Sequence, residues 1–172
     1  MTGPELRTSA RVVLLDEGGA VLLLCGSDPA VTDGSAPRWW FTVGGRILPG
    51  EPLAEAAARE LGEETGLQVH PGELVGPVWR RESLIDFNGS VMASEEFYFV
   101  YRARRFDPSP AGRTELERRY IHDHRWCDAA AIVELEDLGQ RVYPRSLGEL
   151  LAEANRLAGD SGKPPDDPQP ID

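Results

Sequence analysis

Hydrophobic positions along this chain follow two periods, and the switches between them mark out its elements. Ala10 to Asp16 and Ala20 to Cys25 are runs rich in Val and Leu separated by Glu17-Gly18-Gly19, which reads as a β-hairpin with mostly buried strands. Trp39 to Val43 is aromatic and β-branched, a strand that leads directly into Gly44-Gly45. Glu73 to Asp86 and Val91 to Arg104 alternate on either side of Phe87-Asn88-Gly89-Ser90, and the Asn-Gly pair predicts one long antiparallel ribbon. Tyr120 to Cys127 predicts a further strand.

The helical period is clearest over Leu53 to Thr65. Pro49-Gly50 makes a turn, Pro52 suits a first helical turn, and Gly66 ends the run. Ala54, Ala57, Ala58 and Leu61 recur at spacings of three and four, giving an apolar face able to lie on a sheet, and its small side chains imply close approach. Asp128 to Leu135 predicts a short helix and Pro144 to Ala158 a closing amphipathic one, while Gly26 to Pro37 and Asp107 to Thr114 read as loops. The elements fill residues 1–158 as one domain. Residues 159–172, rich in proline and aspartate and without aromatics, predict a disordered tail.

Composition narrows the function classes. A length of 172 residues fits one domain with a proper core, and 41% hydrophobic content is ordinary for a soluble protein. The net charge of -11 argues against binding duplex nucleic acid, so a polyphosphate must arrive metal-neutralised or meet local arginines. Cys25 and Cys127 have neither disulfide-framework nor metal-ligand spacing, and His70, His122 and His124 form no zinc pattern with them. No run approaches the ~20 apolar residues of a membrane span. A cytoplasmic protein without membrane attachment is the expectation.

The chemistry concentrates on the first helix. Glu60, Glu63 and Glu64 project from neighbouring points of its surface with no cation on the helix among them. Like charges so placed cost about 0.2–0.5 kcal/mol per pair even when solvated. An external cation would offset that cost, and oxygen-only ligands select a hard ion, Mg²⁺ or Mn²⁺. A solvated acidic face is the alternative explanation for such a cluster.

The surrounding pattern decides between them. Gly45, five residues, Glu51, seven residues, then Arg59-Glu60-Leu61-x-Glu63-Glu64-x-Gly66-Leu67 resembles the signature of the Nudix hydrolase family at every specified position. The resemblance covers 23 residues, Gly45 to Leu67. It implies an α/β fold, the α/β/α sandwich with a mixed central sheet, and hydrolysis of a small-molecule nucleoside diphosphate linked to another moiety. Val43 stands where the family commonly has proline, which bears on loop geometry and leaves the acidic positions intact.

By that resemblance Glu60 and Glu64 are metal ligands, joined by the Gly44 or Gly45 carbonyl, and Glu63 completes the cluster as ligand or base. Arg59 with Glu51 fixes the loop against the helix. The general base falls at Glu63, at Glu60, or outside the signature, where Glu95 and Glu96 are the candidates. Substrate contacts are expected from Arg38, Arg80 or Arg81 on phosphate and from Trp39 or Trp79 among the aromatics, with Trp40, Phe87 and Trp126 also available for stacking.

Nucleoside triphosphates, ADP-ribose or other nucleotide sugars, and dinucleoside polyphosphates are the expected substrate classes, and a homodimer is compatible with the family. Two rivals share the fold. One is a catalytically silent Nudix domain that senses nucleotides, which the intact signature disfavours. The other is an isomerase of the isopentenyl diphosphate type, which needs a catalytic cysteine, whereas Cys25 lies in an expected buried strand.

Overall fold

The computed structural model describes residues 6–159 and 166–172, with the side chains of residues 85–87 outside the description. Eight strands build one mixed sheet: β1 (Leu6–Leu15), β2 (Val21–Gly26), β3 (Trp39–Arg46), β4 (Val75–Phe87), β5 (Ser90–Arg102), β6 (Ile121–Cys127), β7 (Arg141–Tyr143) and β8 (Gln169–Ile171). The order is β6-β2-β3-β1-β5-β4-β8, with β7 paired parallel to β3. Four helices accompany it: α1 (Leu53–Thr65), α2 (Glu115–Tyr120), α3 (Ala129–Asp137) and α4 (Leu147–Ala158).

Alternation along the central strands divides the core into two layers. Val12 and Leu14 of β1 face one side with Ala56, Ala57 and Leu61 of α1, while Val13 and Leu15 face the other with Ile132 and Leu135 of α3 and Leu151 and Leu157 of α4. The result is the expected α/β/α sandwich. Helix α1 spans the expected residues and ends at Gly66, whose φ of 85° is the left-handed conformation that glycine adopts without a Cβ penalty.

The long ribbon also forms as expected. Strands β4 and β5 pair antiparallel from Trp79↔Tyr98 to Phe87↔Ser90, and positive φ at Asn88 (53°) and Gly89 (81°) supplies the turn twist that matches the strands. Strand β5 then runs parallel to β1 over ten register pairs, which ties the ribbon to the rest of the sheet.

Three features differ from the sequence reading. The expected β1/β2 hairpin is reduced to one pair, Leu15↔Val21, because β3 inserts between the two strands and pairs antiparallel with both. Both strands are buried on both faces, so each gains from two hydrogen-bonded neighbours. Helix α2 and strand β7 form in segments to which the sequence reading assigns no element, apart from Tyr120 at the start of the expected strand. They are six and three residues long, too short for a hydrophobic period to register.

The closing segment is the third difference. Residues 160–165 of the expected disordered tail lie outside the described residues, but Gln169–Ile171 pair parallel with Trp79–Arg81 at the edge of β4. Backbone pairing of this kind needs little apolar content, an edge position tolerates Pro170, and Ile171 supplies one side chain that packs on the α3/α4 layer. The Asp172 carbonyl also accepts from the Arg145 amide at 3.2 Å. Deleting residues 166–172 is therefore expected to lower the melting temperature by roughly 2–4 °C, the equivalent of about 1 kcal/mol at this chain length, when followed by circular dichroism. An unchanged melting curve would show that β8 contributes nothing to stability.

Candidate active site

Strand β3 delivers Gly44 and Gly45 against the flank of α1. Gly44 has φ 142°, and a Cβ there would stand 2.2 Å from the Ala10 carbonyl oxygen, so only glycine admits the neighbouring strand. A Cβ on Gly45 would stand 2.8 Å from the carboxylate of Glu60. The glycine pair thus lets the end of β3 and the acidic face of α1 meet without side chains between them.

Glu60 and Glu64, one helical turn apart, are buried there, and Glu64 is 0% exposed. The Gly44 amide donates to Glu64 Oε1 at 3.1 Å, while Glu64 Oε2 is buried without a hydrogen-bond donor. A third carboxylate joins them from outside the signature. Glu117 of α2 is buried, and one oxygen each of Glu60, Glu64 and Glu117 lie within 4.8 Å of one another.

The loop before α2 docks on the C-terminal end of α1 and so carries Glu117 to the cluster. The Ser109 amide donates to the Thr65 carbonyl at 2.8 Å, and Arg113 Nε donates to the Glu64 carbonyl at 3.2 Å. Thr114 then opens α2 with a capping box: its hydroxyl accepts from the Glu117 amide, and Glu117 Oε1 accepts from the Thr114 amide at 2.9 Å. Sequence reasoning placed no functional residue here. Thr114-x-x-Glu117 is a helix-start pattern that places Glu117 in the first turn of a helix, but it says nothing of that turn's proximity to α1.

Arg59 brackets the cluster from its open side. Its Nε and Nη2 each donate to Glu51 at 2.9 Å, Nη2 donates to the Arg46 carbonyl at 3.1 Å, and Nη1 reaches Glu60 at 3.0 Å and Glu63 at 3.2 Å. This joins the Gly45–Glu51 loop to the helix, as expected of the Arg59–Glu51 pair. The side chain of Glu63 is 34% exposed, more open than Glu51, Glu60 or Glu64.

Other expected site residues are drawn elsewhere. Glu96, a candidate base, is buried between Arg11 Nε at 2.7 Å and Arg81 Nη1 at 2.5 Å and does not join the carboxylate cluster. Burial would push its carboxyl up, but Arg11 and Arg81 outweigh burial and hold it below its ordinary value, which weakens it as a proton acceptor. Glu95 pairs with Arg80 at 3.1 Å. Trp79 is fully buried and packs on Tyr98 with ring centroids 6.0 Å apart, and Arg81 lies over the Tyr143 ring at 5.2 Å. Trp79 and Arg81 are thus core and ion-pair groups, Trp39 is half-buried at the start of β3, and Arg38 is exposed beside it. The side chain of Phe87 lies outside the described residues.

The cluster's electrostatics match the donor set of a hard cation. Burial first, then the neighbouring charges of Glu60 and Glu117, push the Glu64 carboxyl well above its ordinary value, and burial with Glu117 pushes Glu60 up. The buried Glu64 oxygen without a donor, the oxygen-only ligands and the space kept by Gly45 all fit Mg²⁺ or Mn²⁺ held by Glu60, Glu64 and Glu117.

The family model of the NUDIX domain matches residues 5–146, and the chain belongs to this family. Among solved structures it is similar to a MutT protein from Methanosarcina mazei Go1, with 20% identity, 91% of this chain and 97% of that one covered, and a TM-score of 0.57. It is also similar to the Escherichia coli dihydroneopterin triphosphate pyrophosphohydrolase, at 20% identity, 87% and 96% coverage and a TM-score of 0.57. A Caenorhabditis elegans Ap4A hydrolase matches at 20% identity, 87% and 95% coverage and a TM-score of 0.54. These likenesses establish the shared fold. Among the described residues no helix is long and apolar enough to cross a membrane.

The raised Glu64 carboxyl sets a pH dependence with a definite sign. Below the ordinary value of 4.5 the group is protonated in folded and unfolded chains alike and costs nothing. As pH rises through 4.5 the unfolded chain ionises while the folded one resists, so metal-free stability falls until the raised folded value is passed. Melting temperatures in EDTA should therefore decline as pH is raised from about 5, Mn²⁺ should reverse the decline, and Glu64→Gln should flatten both trends. A wild-type profile independent of pH and Mn²⁺ would contradict the assignment.

Proposed function

We propose that this protein is a Mg²⁺- or Mn²⁺-dependent hydrolase that cleaves the pyrophosphate bond of a nucleoside diphosphate linked to another moiety. The observation that carries the proposal is the convergence of Glu60, Glu64 and Glu117 on one buried point, with a Glu64 oxygen left without a donor. Glu60, Glu64 and Glu117 would hold a divalent cation there, and it would supply charge neutralisation for the phosphate oxygens and activation of water.

The remaining contributions come from the chain itself. Arg59 orients Glu60 and Glu63 while tying them to the loop at Glu51. Glu63, the most exposed of the signature glutamates, is the group assigned to take the proton as water attacks phosphorus. The phosphoanhydride breaks and its leaving phosphate departs without a covalent intermediate on the protein. No nucleophilic side chain is needed, and Cys25 and Cys127 are both buried away from such a role.

The substrate class follows from shared chemistry. Dihydroneopterin triphosphate and Ap4A, the compounds named for two of the similar structures, both carry a phosphate chain on an organic group. The net charge of -11 requires such a polyanion to arrive with its charge neutralised. Arg38 and Trp39, adjacent at the entry to β3, are the chain's accessible candidates for phosphate and ring contacts.

The test is a panel of nucleoside triphosphates, ADP-ribose, nucleotide sugars and dinucleoside polyphosphates incubated with Mg²⁺ or Mn²⁺ and resolved by chromatography. One preferred compound should be hydrolysed, EDTA should abolish turnover reversibly, and Glu64→Gln or Glu117→Gln should lower kcat by about 100-fold or more, the scale of losing one electrostatic contact to a transition state. Undiminished rates in Glu64→Gln would sink the proposal. Nucleotide binding without turnover by the wild type would favour the sensing module instead.

A further inference from the structure

We propose that Arg11 of β1 is a positioning residue for the cation site, acting through the backbone around Gly44 and braced by Glu96. The inference rests on the metal-binding reading above and adds to it a residue far from the signature in sequence.

Arg11 and Gly44 are register partners in the antiparallel β1/β3 pair. The Arg11 side chain does not extend into solvent but folds onto β3, where Nη1 donates to the Gly44 carbonyl at 2.9 Å and to the Thr42 carbonyl at 3.3 Å. Those two carbonyls flank the peptide whose N–H, that of Gly44, donates to Glu64 Oε1. One guanidinium therefore grips the backbone on either side of the amide that orients the most buried carboxylate of the cluster.

Glycine makes such a grip necessary. With no Cβ, Gly44 populates positive φ freely, and a swivel at this residue would carry its amide away from Glu64. Ala10 and Arg11 close the space a Cβ would need, so the site cannot be stiffened by another residue at this position. Stiffness has to come from hydrogen bonds to the peptides.

The guanidinium is itself fixed. Its Nε donates to Glu96 Oε2 at 2.7 Å, and Glu96 is held from its other oxygen by Arg81, which lies over Tyr143. The planar fork of arginine is what allows one group to meet a carboxylate and two carbonyls in fixed directions. Lysine in this place keeps the charge and the Glu96 pair but has a single ammonium to share among the three acceptors.

A purely structural ion pair between β1 and β5 would support stability alone. A positioning role predicts a loss of cation affinity that stability does not account for. The full chain is titrated with Mn²⁺, with free ion followed by electron paramagnetic resonance, for wild type, Arg11→Lys and Glu64→Gln, alongside thermal melts in EDTA.

Arg11→Lys should melt within a few degrees of wild type and bind Mn²⁺ about 10-fold more weakly, the lower end of what outer groups contribute to a metal site. If Arg11→Lys folds poorly, Glu96→Gln decides the matter: it keeps hydrogen bonding to Arg11, loosens the brace, and should weaken Mn²⁺ in the same direction. Wild-type Mn²⁺ affinity in the folded variant, with binding lost in Glu64→Gln, would overturn the positioning role and leave the metal reading intact. Equal binding by wild type and Glu64→Gln would overturn both.

Discussion

The structure depends on keeping several carboxylates together and dry where α1 and α2 meet the end of β3. Two unit charges 4 Å apart interact by about 4 kcal/mol at an effective dielectric of 20, and a whole domain is stable by only about 5–15 kcal/mol. Glu60, Glu64 and Glu117 within 4.8 Å of one another are therefore a substantial burden on the metal-free fold. No arginine is placed between them. Arg59 reaches Glu60 from the loop side, and Arg11 is separated from Glu64 by the Gly44 backbone. The charge is contained at its margins and left open at its centre, an arrangement that favours a cation over a closed salt bridge.

Close approach makes this possible. Ala56 and Ala57 are fully buried where α1 lies on the sheet, and small side chains there let the helix backbone come near the strands. Gly44 and Gly45 remove side chains from the facing strand end, and Gly112 does the same beneath α1, where a Cβ would stand 2.9 Å from the Glu63 carbonyl oxygen. The loop can then dock on the end of α1 and bring α2 with it. At Gly45 an added Cβ would meet the Glu60 carboxylate itself, so packing and chemistry are set there by the same small residue.

Much of this was legible in the residues, for identifiable reasons. Helix α1 carries a strong 3.6-residue period with breakers at both ends, and the β4/β5 turn is written in Asn88-Gly89, so local signals agree with the final structure. The insertion of β3 between β1 and β2 was not legible, because a continuous apolar run tells that a strand is buried without telling which neighbours bury it. Strand β8 escaped for the opposite reason: its pairing is carried by backbone groups, and Gln169-Pro170-Ile171 has almost no side-chain pattern. Glu117 and Arg11 were missed because their importance comes from tertiary proximity to α1 and Gly44, which no spacing along the chain encodes.

Glu96 shows how one residue type is given two parts by its surroundings. It is buried, as Glu60 and Glu64 are, and burial alone would push all three carboxyls in the same direction. The difference lies in what each oxygen meets. Both oxygens of Glu96 meet an arginine, so its charge is satisfied and its affinity for a proton falls. Glu64 meets one backbone amide and two like charges, so its charge is unsatisfied and its affinity for a proton rises. A group in the first condition has no capacity left for a ligand and can only hold other groups in place. A group in the second condition is stabilised by whatever positive charge arrives, and two buried glutamates, one on β5 and one on α1, thereby divide into scaffold and site.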